Sequence, residues 1–184
     1  MTPPQVQLRA AIPTDFVAIV ALERATEYAP HWPPATYAAV LNADSAKPKR
    51  CLFAALRGES LAGFAVGLLH ASSGEASTPQ SGRVAELESV VVAANSRRAG
   101  IGRALCAAVI DWSRSQGATE LVLEVRATSS GAISLYHALG FTQTGRRPRY
   151  YHDPKDDALA MRLQLESTPA QPSTSRPDPA GAQA

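Results

Sequence analysis

Residues 89–105 read SVVVAANSRRAGIGRAL, and the fold turns on this stretch. Three valines behind Ser89 have the β-branched character of a strand. They lead into Arg97-Arg98-Ala99-Gly100-Ile101-Gly102, and from there Ile101, Leu105, Ala108, Val109 and Trp112 mark one face of a helix that Gly117 should stop. A strand that passes into a helix through glycines leaves the first N–H groups of the helix free and aimed at one point. With no side chains at 100 and 102 an anion can approach closely. The helix start adds about half a positive charge, so a pyrophosphate could be cradled there. The same residues fit a plain Gly-rich turn ahead of a charged helix start equally well. Two other phosphate loops are ruled out. Gly102 is followed by Arg103, Ala104 and Leu105, which breaks the dinucleotide pattern G-x-G-x-x-G, and no Gly-Lys-Ser/Thr ending of a Walker loop occurs.

Upstream, Val6–Ala11 is a short strand. Pro13 and Thr14 then start a helix whose Phe16, Ile19, Val20 and Glu23 keep helical spacing. Pro33 and Pro34 open a second short helix through Tyr37 and Leu41. The runs Cys51–Leu56 and Leu61–Leu69, joined by Arg57-Gly58-Glu59-Ser60, form a hairpin, and a third run covers Leu87–Val92. Downstream, Leu121–Val125 reads as a buried strand and Ala132–Leu139 as a short helix stopped by Gly140. Phe141–Gly145 starts a strand, and Leu159–Leu165 alternates apolar and polar residues as a final strand would. The order β-α-α-β-β-β-α-β-α-β-β predicts an α/β (α+β) domain with a mixed seven-stranded sheet flanked by about four helices.

A chain of 184 residues with 45% apolar content can bury one sizeable core. Its formal charge of +2 gives no reason to expect nucleic acid as a partner. Cys51 and Cys106 are too few for a disulfide framework or a zinc knuckle, and His70, His137 and His152 have no metal-ligand spacing, so no metal is expected. With no leader pattern and no apolar run of about 18 residues, the reading is of a cytoplasmic protein with no membrane anchor. Residues 1–5 and the Pro/Ser/Ala-rich tail 167–184 are expected to be disordered, leaving 6–166 as the domain. The polar stretch Ser72–Gly82 is expected as an exposed loop.

The R-x-x-G-x-G stretch at the strand-to-helix junction, in this order of elements, resembles the acetyl-coenzyme A loop of the GNAT superfamily of N-acetyltransferases. Within that superfamily, LEVRATSSGAISLYHALGF (Leu123–Phe141), RRPRYY (Arg146–Tyr151) and DALAMRL (Asp157–Leu163) are similar to the RimI-type ribosomal-protein-alanine N-acetyltransferases. The resemblance covers about Val6 to Glu166 and implies a single GNAT fold with acetyl-coenzyme A as cosubstrate. It also implies that the backbone of Val90, Val91 and Val92 holds the pantetheine arm, and that the loop of Arg97, Arg98, Ala99, Gly100, Ile101, Gly102 and Arg103 wraps the pyrophosphate. Glu124 would be the general base and Tyr136 the general acid. Where these relatives usually carry Asn after LEVR, this chain has the shorter Ser129 toward the coenzyme.

Other roles for the same residues stay open. Glu124 could simply face solvent or pair with Arg126, and Tyr136 could anchor Leu135 and Leu139 against the sheet. Cys106 belongs to the helix face and reads as packing. Tyr150 and Tyr151, behind the basic cluster Arg146, Arg147 and Arg149, could wall a groove for an acceptor peptide, as could His31 and Trp32 in the loop between the first two helices; each could equally be surface packing. The chemistry asks little of a base. An amino terminus has a pKa of about 7.7–8.0, so part of it is neutral near pH 7. A phenol near 10 passing its proton to a thiolate near 8.5 is mildly uphill. The leading expectation is acetyl transfer to the α-amine of a protein, a ribosomal protein in the RimI-like case. The alternatives are a small-molecule amine as acceptor and a non-catalytic coenzyme A-binding module.

Overall fold

The computed structural model describes residues 6–42, 48–71 and 82–165. The expected overhang at 1–5, the tail 167–184 and all but Gly82 of the expected loop lie outside them. Among the described residues the strands number seven: β1 (Val6–Ala10), β2 (Lys49–Arg57), β3 (Ser60–Leu69), β4 (Arg83–Val92), β5 (Ala118–Arg126), β6 (Thr142–His152) and β7 (Lys155–Gln164). Four α-helices are α1 (Phe16–Arg24), α2 (Pro34–Leu41), α3 (Ile101–Ser115) and α4 (Ser130–Ala138). Their succession along the chain is the one read from the sequence. The strands form one sheet in the order β1-β2-β3-β4-β5-β7-β6. Only β4 and β5 run parallel, with α3 as the crossover between them.

Each face of the sheet carries its own apolar cluster. Leu105, Val109 and Ile110 of α3 and Tyr136 of α4 pack with Leu121, Leu123 and Val125 of β5 on one face. Ile19 of α1 and Tyr37 of α2 pack with Leu52, Phe64 and Val66 on the other. The seat of α3 is cut into β3 by two glycines four residues apart. A Cβ on Gly63 would stand 2.7 Å from the Val91 carbonyl oxygen, and one on Gly67 would stand 2.7 Å from Val109 Cγ1. Glycine there lets the helix lie closer than any side chain would allow.

A single extra residue in β4 decides which way the rest of that strand faces. Gly67 of β3 pairs with Leu87 and Val66 with Ser89, so Glu88 is a β-bulge. Because successive side chains alternate faces, the bulge exchanges the two faces of the strand. Ala85 and Leu87 belong to the α3 cluster before it. After it Val91 belongs to the α1/α2 cluster, while Val90 and Val92 pack toward α3. The bulge carboxylate is held by both Nε and Nη2 of Arg50, at 2.8 and 3.0 Å. Parallel pairing with β5 runs from Arg83↔Ala118 to Glu86↔Val122, just before the bulge. Bulges bend a strand and raise its twist, and from here β4 and β5 continue as the two sides of a cleft.

Several element boundaries differ from the sequence reading: β4 and β7 each start four residues earlier than expected, at Arg83 and Lys155, and two further differences bear on the site. The helical segment begins as a 3-10 turn at Pro13–Asp15 and becomes α-helical only at Phe16. Asp15 holds this corner by accepting hydrogen bonds from Arg9 Nη1 and Nη2 (2.6 and 2.9 Å) and from the Ile12 N–H (2.9 Å). The strand expected to start at Phe141–Gly145 runs on to His152 through RRPRYY. It lies at the sheet edge, where Pro148 costs no ladder hydrogen bond, and its register shifts between Arg147 and Tyr151. Arg149 sits there at φ 55°, and Asp157 ties the bend by accepting from the Arg149 N–H (2.7 Å) and pairing with Arg146 (2.7 Å). No described helix is long and apolar enough to cross a membrane.

Candidate active site

The cleft between the diverging ends of β4 and β5 has a volume of about 1000 Å³. One end is built from backbone. The loop from β4 to α3 reverses through two residues of positive φ, Arg98 at 62° and Gly100 at 77°. Across the helix start, the first backbone bond runs from the Ala104 N–H to the Gly100 carbonyl (3.0 Å), so the amides of Ile101, Gly102 and Arg103 precede it. Nothing lies within 4 Å of where a Gly100 Cβ would be, so the residue ahead of these amides borders open space. Arg97, Arg98 and Arg103 ring the same end. Free amides, a helix start and three cations suit a pyrophosphate. Val90, Val91, Val92, Ile101 and Ser129 line the cleft as well, whereas Ala99 does not. Ser129 stands at the start of α4, and its side chain makes no capping hydrogen bond there.

Glu124 and Tyr136 both line the cleft, from opposite sides of β5. Leu123 and Val125 point to the α3 cluster, so Glu124 takes the α1/α2 face. Its carboxylate is paired with Arg147 Nη1 at 3.0 Å, not with Arg126. Glu124 is the main cause that pushes the Tyr150 phenol up. Tyr136 is 9% exposed and stacks edge-on against Phe141 at 5.7 Å. Burial is the main cause that pushes its phenol well above the usual value. It therefore stays protonated at neutral pH, but its proton is harder to release than the mildly uphill step expected from the sequence. Cys106 is fully buried, and burial pushes its thiol up to about 12, which fits the packing role expected for it.

Side chains from distant segments build the other end. Thr26, Glu27, Tyr28, Ala29, Pro30 and His31 form one wall after α1, and Tyr151 and Asp153 of the β6–β7 hairpin form the other. The first wall is held by Glu23. This α1 carboxylate is 1% exposed and accepts the Trp32 N–H at 3.0 Å. His31, at φ 52°, holds the Thr26 carbonyl through Nε2 at 3.2 Å. Of the four residues expected around the acceptor, His31 and Tyr151 line the cleft, and Trp32 and Tyr150 do not. The Trp32 ring instead packs against Tyr37 at 5.5 Å, and Tyr150 stands outside, 44% exposed, against the Tyr151 ring at 5.2 Å. Sequence reasoning missed Glu27, Tyr28, Arg126 and Asp153. No local pattern marks the first, second or last, whereas Arg126 stands inside the quoted LEVR and enters the sequence reading only as a possible partner of Glu124.

A sequence model of the acetyltransferase (GNAT) family matches residues 17–141. The [ribosomal protein bS18]-alanine N-acetyltransferase of Escherichia coli strain K12 is 40% identical over 83 residues, 44% of this chain and 56% of that protein, so the match spans about half the length of this relative. The crystal structure of the ribosomal-protein-S18-alanine N-acetyltransferase from Escherichia coli superposes with a TM-score of 0.68 at 28% identity, covering 88% of this chain and 94% of that one. Arabidopsis thaliana NAA60, solved with a bisubstrate analogue, superposes with a TM-score of 0.76 over 89% of this chain and 100% of its own. At 18% identity it shows the shared fold.

Proposed function

The chain belongs to the acetyltransferase (GNAT) family, and from that premise we propose that it is an N-acetyltransferase that acetylates the α-amine of a protein amino terminus, with a ribosomal protein as the natural acceptor. The observation that carries this reading is the polarity of the cleft. Arg97, Arg98 and Arg103 stand at one end, and Glu27, Glu124 and Asp153 outnumber Arg126 at the other. The basic end suits the phosphates of acetyl-coenzyme A, and the acidic end suits a protonated amine. The likeness to the alanine N-acetyltransferases, over part of their length, supports a protein amino terminus as that amine.

The amides of residues 101–103 would hold the pyrophosphate, and the edge of Val90–Val92 the pantetheine. Acetyl-coenzyme A supplies the acetyl group as a thioester, whose carbon–sulfur bond breaks as the acceptor nitrogen bonds to the carbonyl carbon. Glu124 is the base. The acceptor ammonium competes with Arg147 for its carboxylate, leaves a proton on it, and presents a neutral nitrogen. Tyr136 is the acid, giving its phenolic proton to the departing sulfur, and the second proton that the nitrogen sheds on becoming an amide restores the phenol. The burial that raises this phenol also raises the pKa of a thiol forming in the same dry space, which narrows the gap between donor and acceptor.

A panel of hexapeptides differing in the first residue, with an amino-terminally blocked peptide and spermidine as controls, tests the reading by release of coenzyme A. Turnover of free peptides with a small first residue, and none of the blocked peptide, is expected. Turnover of spermidine alone would assign the chain to small amines.

A further inference from the structure

The arginine of LEVR has no acidic partner: among the described residues no carboxylate forms a salt bridge with Arg126. This is unexpected two positions from Glu124, since residues i and i+2 of a strand share a face. The guanidinium is occupied otherwise. Nη1 donates to the Pro154 carbonyl at 2.9 Å and Nη2 to the Asp153 carbonyl at 3.0 Å. Its carbon lies 4.1 Å from the centre of the Tyr151 ring and 5.1 Å from that of Tyr28. Tyr28 belongs to the wall after α1, and the other three groups belong to the β6–β7 hairpin.

We propose that Arg126 is a positioning residue that clasps the two acceptor walls together and, in doing so, is kept from pairing with Glu124. A planar, delocalised cation is suited to this task. It can rest against the ring faces while its in-plane N–H groups reach two carbonyls, which an ammonium group cannot imitate. Tyr28 is 54% exposed, so little other packing sets its position. The β5 backbone under the clasp is fixed independently, by Arg126↔Ala158 pairing with β7 and by the Ala127 N–H bond to the Asp157 carbonyl at 2.9 Å. Loss of the side chain should therefore free the walls and leave the strand in place.

The proposal rests on the acceptor end assigned above, and the test separates the two. Arg126→Lys and Arg126→Ala are compared with wild type, varying the acceptor and acetyl-coenzyme A separately, with whichever amine wild type acetylates. Both variants should raise the acceptor KM by roughly tenfold or more and leave the acetyl-coenzyme A KM within about twofold. Tyr28→Phe, which keeps the ring face, should raise the acceptor KM far less than Tyr28→Ala. Tyr28→Ala should raise the acceptor KM, and combining it with Arg126→Ala should add less than the product of the two single effects. Amide hydrogen exchange gives a readout independent of activity: residues 26–31 and 151–154 should exchange faster in Arg126→Lys, with β5 unchanged. An acceptor KM preserved in Arg126→Lys, or faster exchange throughout β5, would overturn the clasp. A wild type that acetylates only small amines would overturn the protein-acceptor reading and leave the clasp standing on the exchange data.

Discussion

The two ends of the cleft are built in opposite ways. The basic end is made by one continuous segment, β4 through its loop into α3, and presents the backbone amides of a helix start. The acidic end is made by side chains of the loop after α1, β5 and the β6–β7 hairpin, which meet only after folding. Recognition by backbone is written locally, because glycines and helix starts stand next to each other in the chain. Recognition by side chains depends on which strands become neighbours. Ends built so differently should fail separately.

The hardest test falls where the ends meet. Glu124→Gln and Tyr136→Phe should each lower kcat by about tenfold to ten-thousandfold, with acetyl-coenzyme A affinity measured by calorimetry nearly unchanged. Both changes nearly conserve volume, so a packing role would instead show as a small fall in melting temperature with kcat retained.

A smaller effect is expected at the backbone end. A Cβ at Gly102 meets only Leu135 Cδ2 at 3.4 Å and Val92 Cγ2 at 3.8 Å, so the fold accommodates it. Gly102→Val should raise the acetyl-coenzyme A KM by roughly tenfold or more, since its branches enter the space over the amides, and leave the acceptor KM alone. Equal shifts in both constants would dissolve the division between the ends.

That division was readable to different depths. The element order and the glycine loop follow from periodicity and turn chemistry in residues 89–117, and the same reading of apolar faces found α3 and β5. The Glu88 bulge escaped because it needs the register of β3 against β4. The partner of Glu124 escaped because Arg147 comes from β6, beyond β7 in the sheet. The resemblance implies that the loop carrying Trp32 flanks the acceptor, and packing against Tyr37 decides where its ring goes.

Stability should follow the same map more weakly. Gly67→Ala puts a methyl 2.7 Å from Val109 and 2.9 Å from Cys51 Sγ, so overpacking under α3 should cost about 1–3 kcal/mol in denaturant unfolding. An unchanged midpoint would show that α3 does not rest on that glycine.

The mildest effect is in acid. The Arg9 side chain is the main cause holding the Asp15 carboxyl below the usual range, helped by the Ile12 N–H. A depressed folded pKa contributes stability above the unfolded value of about 3.9 and loses it as pH falls through the folded one. Melting temperature should accordingly fall more steeply below about pH 4 in wild type than in Asp15→Asn, which starts lower and has less to lose. Parallel curves would show that the Asp15 carboxylate does not hold the α1 corner.

Glu88 is one residue inserted into a strand, and its effect resembles a frameshift in three dimensions. Remove it, and every side chain of β4 beyond residue 87 trades sides: Val91 turns to the helix α3, and Val90 and Val92 turn to α1 and α2. Point substitutions along 89–92 test one contact each. A single-residue deletion there exchanges the two rooms on either side of the sheet, so this short stretch should accept changes of letter far more readily than changes of length.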